Sequence, residues 1–268
     1  MRVIISHDVD HLTAWEHRRD LAIPKLLLRT ALSLLLGTVS PHGVARRLDE
    51  LRHNRWHNLD ALMTFDRRHA VPSTFFIAAR SGLGLSYAPQ SARFWMARIL
   101  ANGFGVGLHG IAYDHLEEME EEQATFENLA AVAPAGVRMH YLRRSHRTLS
   151  YLDRLGYRFD STVCAVRNPW RVGDLVEFPL QIHDVEIMMR RGSRVRTVRL
   201  ERAKEKTRDI IARARGLELD YLTVLFHDRY FSDSFEEWRA WYVWLIDHLA
   251  SREMRFVNYQ QALEELGC

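Results

Sequence analysis

Short, continuously apolar runs alternate along this chain with longer stretches of helical spacing, and no other feature constrains its fold as strongly. Residues 3–9, 73–78, 104–109, 136–142 and 222–228 read as strands without polar alternation, so both faces of each must be covered. Helical spacing fills 58–69, 91–101, 116–132, 148–155, 201–215 and 235–250, with glycine closing helices at Gly103 and Gly156. Such strands separated by helices require a parallel sheet under helical layers, open or closed into a barrel. Shorter strands are expected at 157–160, 176–179, 184–189 and 255–257. Residues 11–55 carry helical spacing only and read as an insertion into a single domain spanning 1–268.

Polar residues collect where these strands end. Asp8 and Asp10 close the first strand, His109 the third, Asp160 the fifth and His227 with Asp228 the late one, while Arg138 and His140 fall in the fourth. The carboxyl ends of parallel strands converge on one mouth, where α/β proteins place their chemistry. A period of two sets Asp8 and Asp10 on one face. Two buried carboxylates side by side repel unless a cation or a shared proton compensates, which points to a metal-and-base site. The same period sends His7 and His11 to the opposite face and aligns Arg138 with His140.

Other features bound the setting. Two cysteines, Cys164 and Cys268, make no disulfide framework, and the first strand leaves no room for a signal peptide, so a cytosolic location is expected. The leucine-rich stretch 26–36 is too short to span a bilayer and contains Arg29. Its preferred placement is burial in the fold or against a partner; the alternative is the inner membrane surface, beside Lys25, Arg46 and Arg47. Arginines at 143–144 and 190–196 lack interleaved aromatics or a helix-turn-helix pattern, so they read as a solvated face or an attractor of anions, not a nucleic-acid site. Trp15, Trp56, Trp95 and Trp170 are available to stack on sugar rings.

Six short motifs in order carry a family resemblance. Ser6-His7-Asp8-Val9-Asp10, Ser73-Thr74-Phe75-Phe76, Val106-Gly107-Leu108-His109, Gly136-Val137-Arg138, Gly156 to Thr162 and Val224 to Asp228 together resemble the polysaccharide deacetylases, the NodB-like carbohydrate esterases. The matches run from residue 3 to about 260. The resemblance implies a distorted (β/α) barrel and one divalent metal, zinc first, with cobalt or nickel as alternatives. It implies Asp8 as general base, Asp10 and His109 as metal ligands, Arg138 as the group that steadies the base, and His227 as general acid; the reverse assignment of Asp8 and Asp10 stays open. Two departures stand out. Val9 separates the two aspartates, which the family has adjacent, and Tyr113 occupies the position of the second metal histidine. His140 is the preferred replacement, with His115 as the alternative.

The substrate so implied is an N-acetylated (or O-acetylated) sugar or oligosaccharide, carried on a nucleotide or lipid, in surface polysaccharide or O-antigen assembly. Two other readings compete: a barrel that has lost a ligand and only binds carbohydrate, and a glycoside hydrolase using Asp8 and Asp10 as its carboxylate pair.

Overall fold

The computed structural model describes residues 1–17, 21–37, 39–190 and 197–268. The basic run at 190–196 therefore lies, except for Arg190, outside the described residues. A curled sheet runs through the molecule, with strands β1 (Arg2–Val9), β2 (Thr74–Ile77), β3 (Gly105–Gly110), β4 (Gly136–Met139) and β5 (Phe159–Asp160) followed by β6 (Trp170–Val172), β7 (Leu175–Glu177), β8 (Ile182–His183), β9 (Tyr221–Leu225) and β10 (Arg255–Phe256). The order is β6-β7-β5-β4-β3-β2-β1-β9-β8, with β10 also paired to β1. Every pairing between these strands is parallel except β6 with β7.

One extended segment curls the sheet into a distorted barrel. Residues 175–177 pair with β5 and residues 182–183 with β9, so a single stretch joins the two sides. Between them Phe178 N donates to Asp160 O at 2.8 Å, Leu180 N to Val163 O at 2.8 Å and Gln181 N to Thr223 O at 3.2 Å. Alternation along β1 then separates two environments. Ile4 joins Phe76, Phe159, Phe178 and Tyr259 in an inner core, while Val3, Ile5 and Val9 pack into the larger outer core. That outer core lies under helices α3 (Leu59–Arg68), α4 (Pro89–Ala101), α5 (Leu116–Ala130), α6 (Thr148–Arg154), α7 (Asp184–Met188), α8 (Leu200–Gly216) and α9 (Glu236–Ala250), each of which buries residues. A final helix, Tyr259–Glu265, closes the floor of the barrel with Tyr259.

The inner core tolerates little change. A Cβ at Gly136 would overlap the Phe159 ring, and one at Gly107 would come within 2.7 Å of Phe76. Gly136→Ala is expected to cost about 1–3 kcal/mol by overpacking, read as a lower urea midpoint with unchanged slope.

Three expectations are corrected. Residues 184–189 do not form a strand: Oδ1 of Asp184 accepts the Val185 amide at 2.6 Å and the chain enters α7, which buries Ile187 and Met188. The fourth strand stops at Met139, because Tyr141 and Leu142 adopt left-handed backbone (φ 56° and 53°) in a single 3-10 turn, His140–Leu142. The leucine-rich stretch is not buried within the fold. It forms α1 (Ala22–Leu35), followed by α2 (Pro41–Arg52), and α1 turns its polar Thr30 and Ser33 inward while Leu27, Leu28, Leu32, Leu34 and Leu35 are exposed. Buried Arg47 on α2 draws Thr30 in, its Nη1 donating to Thr30 Oγ1 at 3.2 Å.

Candidate active site

Parallel pairing in register sets the site. His109 in β3 lies opposite Arg138 in β4, so both side chains leave the sheet on the inner side. Asp8, near the end of β1, reaches the same space two strands away.

Arg138 is fully buried and uses its whole guanidinium. Nη1 donates to Asp8 Oδ1 at 2.9 Å, Nε to the Ser161 carbonyl at 2.8 Å, and Nη2 to Ser6 Oγ, Ser161 Oγ and Tyr259 OH at 2.8, 3.0 and 2.9 Å. Its face lies 4.4 Å from the centre of the Phe76 ring. Burial opposes ionisation of Asp8, but Arg138, then His109 and His227, hold its pKa below the ordinary carboxylate value. Asp8 Oδ2 is left facing His109 Nε2 at 3.9 Å.

Asp10, His109 and His140 bring one ligand atom each within 4.8 Å of one another. His109 Nε2 lies 2.9 Å from His140 Nδ1 and 3.2 Å from Asp10 Oδ1, and His140 Nδ1 lies 3.5 Å from that same oxygen. The outer ring nitrogens meet carbonyls: His109 Nδ1 the Arg138 carbonyl at 3.0 Å, His140 Nε2 the Leu83 carbonyl at 3.3 Å. Each outer nitrogen must carry a proton to make that bond, which in the neutral tautomer turns a lone pair inward. Two imidazole lone pairs and a buried carboxylate oxygen, Asp10 Oδ1, that has no hydrogen-bond donor then face one another. A shared proton on His109, whose pKa Asp8 and Asp10 raise against the effect of burial, or a bound cation relieves that arrangement, and two nitrogens with one carboxylate oxygen are the donor set of a catalytic zinc site. Burial works against the Asp10 charge, yet His109, His227 and His140 hold its carboxyl well below the usual range.

His227, just beyond β9, completes the mouth. Its Nδ1 meets both carboxylate oxygens of Asp184 at 2.9 and 3.0 Å, and its backbone amide donates to Asp184 Oδ2 at 2.7 Å. The Nε2 edge turns inward, 3.8 Å from Asp10 Oδ2. Burial would lower the imidazole pKa, but Asp184, with Asp10 and Asp8 behind it, raises it to about 10.

The structure thus brings Asp8, Asp10, His109, Arg138, His140 and His227 together. His115 is not part of the triad; it precedes α5. Tyr113 lies instead under Arg143, whose guanidinium is 4.3 Å from the ring centre. His7 points into the outer layer, bonded to Asp66 at 2.9 Å, and His11 meets His17 at 2.9 Å. Asp160 bonds its own neighbour Thr162, and Asp228 turns to the Asn58 amide at 3.1 Å. Trp56 and Trp95 are buried and unavailable for stacking on a sugar. Sequence reasoning missed Asp184, because it assigned 184–189 to a strand; the His183-Asp184 pair before an apolar run was the only available signal.

No protein-family model matches the chain, and no curated protein matches it. Solved structures do. A candidate polysaccharide deacetylase from Mycobacterium smegmatis superposes with a TM-score of 0.65 at 18% identity, covering 98% of this chain and 89% of that one. A second candidate polysaccharide deacetylase, from Pseudomonas aeruginosa PAO1, gives 0.62 at 12% identity, with 98% and 89% covered. The Puue allantoinase gives 0.62 at 11% identity, with 98% and 88% covered. At these identities the likeness is one of fold.

Proposed function

We propose that this chain, built on the fold of the polysaccharide deacetylases, is a metal-dependent hydrolase that removes an acetyl group from an N-acetylated sugar or oligosaccharide. The observation that carries this reading is the convergence of Asp10, His109 and His140 beside Asp8, which Arg138 grips, and His227, which Asp184 grips. A divalent cation held by Asp10, His109 and His140, zinc first with cobalt or nickel as alternatives, would supply Lewis-acid polarisation of the acetyl carbonyl and acidify a water.

The chain's own residues do the rest. Asp8 accepts the proton of the attacking water at Oδ2, since Oδ1 is occupied by Arg138. Arg138 keeps that carboxylate charged and fixed in direction. As water adds to the carbonyl carbon and the C–N bond breaks, His227 Nε2 delivers a proton to the departing amine. Asp184 keeps His227 in the imidazolium form that this requires.

The same electrostatics disfavour the two rivals. A glycosidase pair needs one carboxyl kept protonated, whereas both Asp8 and Asp10 are held below their ordinary pKa. A barrel that only binds sugar has no need of a buried aspartate that charges a histidine at its mouth.

The natural substrate in this reading rides on a nucleotide or lipid carrier in surface polysaccharide or O-antigen assembly, on the inner face of the membrane, and residues 1–268 act as one catalytic unit. Elemental analysis of protein purified without added metal or a histidine tag should find about one zinc, cobalt or nickel per chain. Chelation should abolish release of acetate from N-acetylated sugars, with allantoin as the control substrate. Protein that holds no metal and takes none up on titration would sink the proposal.

Asp184→Asn tests the acid. Without the carboxylate the His227 pKa falls, so the protonated form is lost at lower pH. The alkaline limb of kcat/KM should move towards acid by about 1–3 units. A lower kcat with an unmoved limb would make Asp184 merely structural.

A further inference from the structure

Helix α1 is turned inside out. Its polar Thr30 and Ser33 are buried, whereas Leu28 is 63% and Leu35 83% exposed. At 3.6 residues per turn Leu21, Leu28, Leu32 and Leu35 share one outward face, and the exposed Lys25 and Arg29 flank it. Leu27, Leu34 and Leu36 widen the exposed surface. A contiguous leucine surface of this kind is not kept on a soluble face without something to cover it. Between Leu21 and Leu48 the sequence carries Lys25, Arg29, Arg46 and Arg47 and no acidic residue. With 14 residues, α1 is too short to cross a bilayer.

We propose that α1 docks on an anionic phospholipid surface, its leucines entering the acyl boundary while Lys25 and Arg29 stay at headgroup level. The charge decides for lipid over protein. The face is one of leucines flanked by charges of a single sign, which matches an anionic lipid surface, whereas a specific protein contact adds aromatic anchors and hydrogen-bonding groups. Docking also has a direct route to the mouth. Glu50 on α2 bonds Arg229, Ser232 and Ser234, in the segment that follows His227. The docked unit therefore grips the loop that carries the proposed acid. Docking itself stands independently of the hydrolytic reading, and only its link to the mouth rests on it.

Co-sedimentation of the full chain with vesicles tests it, comparing phosphatidylcholine alone with phosphatidylcholine plus phosphatidylglycerol. Binding is expected to the mixed vesicles, weakening as salt rises. Leu28→Glu combined with Leu35→Glu should abolish it, with metal content and hydrolysis of a soluble substrate unchanged. Lys25→Gln and Arg29→Gln leave the leucines in place and should weaken binding by about fivefold for each charge removed. The proposal is overturned if the wild-type chain ignores both vesicle types. It is also overturned if the leucine variants bind as the wild type does, or if they only break a dimer in protein that does not bind vesicles.

Discussion

Asp8→Asn is expected to lower turnover by about 10²- to 10⁴-fold while metal content stays at the wild-type level. Asparagine fills the same volume and its carbonyl oxygen still accepts from Arg138 Nη1, so the floor of the barrel survives the change. What it cannot do is take a proton from water at the position of Oδ2. The substitution separates the two aspartates, which sequence alone leaves interchangeable. Asp10 Oδ1 is the oxygen that faces both His109 and His140, whereas Asp8 Oδ1 is bound to the guanidinium. Loss of metal along with activity would exchange the two roles.

Arg138→Met is expected to cost about 3–5 kcal/mol in urea unfolding, the largest stability effect of any single change proposed for this site. The arginine is fully buried and compensates a buried carboxylate, so removing it strands the Asp8 charge without its cation, while Ser6, Ser161 and Tyr259 keep bonds to the Val224 carbonyl, the Phe178 carbonyl and Ser161 Oγ. The Asp8 carboxyl, no longer opposed by a cation, should move up towards neutrality, and the acid limb of the pH–rate profile should move up with it. Pairing Arg138→Met with Asp8→Leu removes both charges and should recover much of the lost stability, although not activity. If the double variant were as unstable as the single one, the ion pair would not be what holds this part of the barrel.

Legibility varied with the range of the interactions concerned. Strands such as 3–9 and 222–228 announce themselves because an apolar run covered on both faces leaves no alternation, and the structure places β1 and β9 there, although β9 already ends at Leu225. The alignment of Arg138 with His140 was legible in part. Both reach the site, but His140 does so from a turn built on left-handed backbone at Tyr141 and Leu142, which nothing local in the sequence indicates. Asp184 was illegible as a site residue, since its partner His227 lies 43 positions away and a short helix stood where a strand was expected. The exposure of the α1 leucines is not legible locally for a related reason. An apolar helix is ordinarily buried, and only the packing of Arg47 against Thr30 shows that its polar side faces in.

The sequence by itself determined that parallel strands, buried on both faces, deliver aspartate, histidine and arginine to one end of the fold, because residue periodicity and strand polarity are local properties of the chain. The tertiary structure alone decided which of those groups meet. Curling of the sheet through residues 175–183 sets Asp184 against His227, and parallel register sets His109 beside Arg138. Contacts between groups this far apart in sequence depend on barrel curvature and on the exits of individual strands, which the chain specifies only collectively.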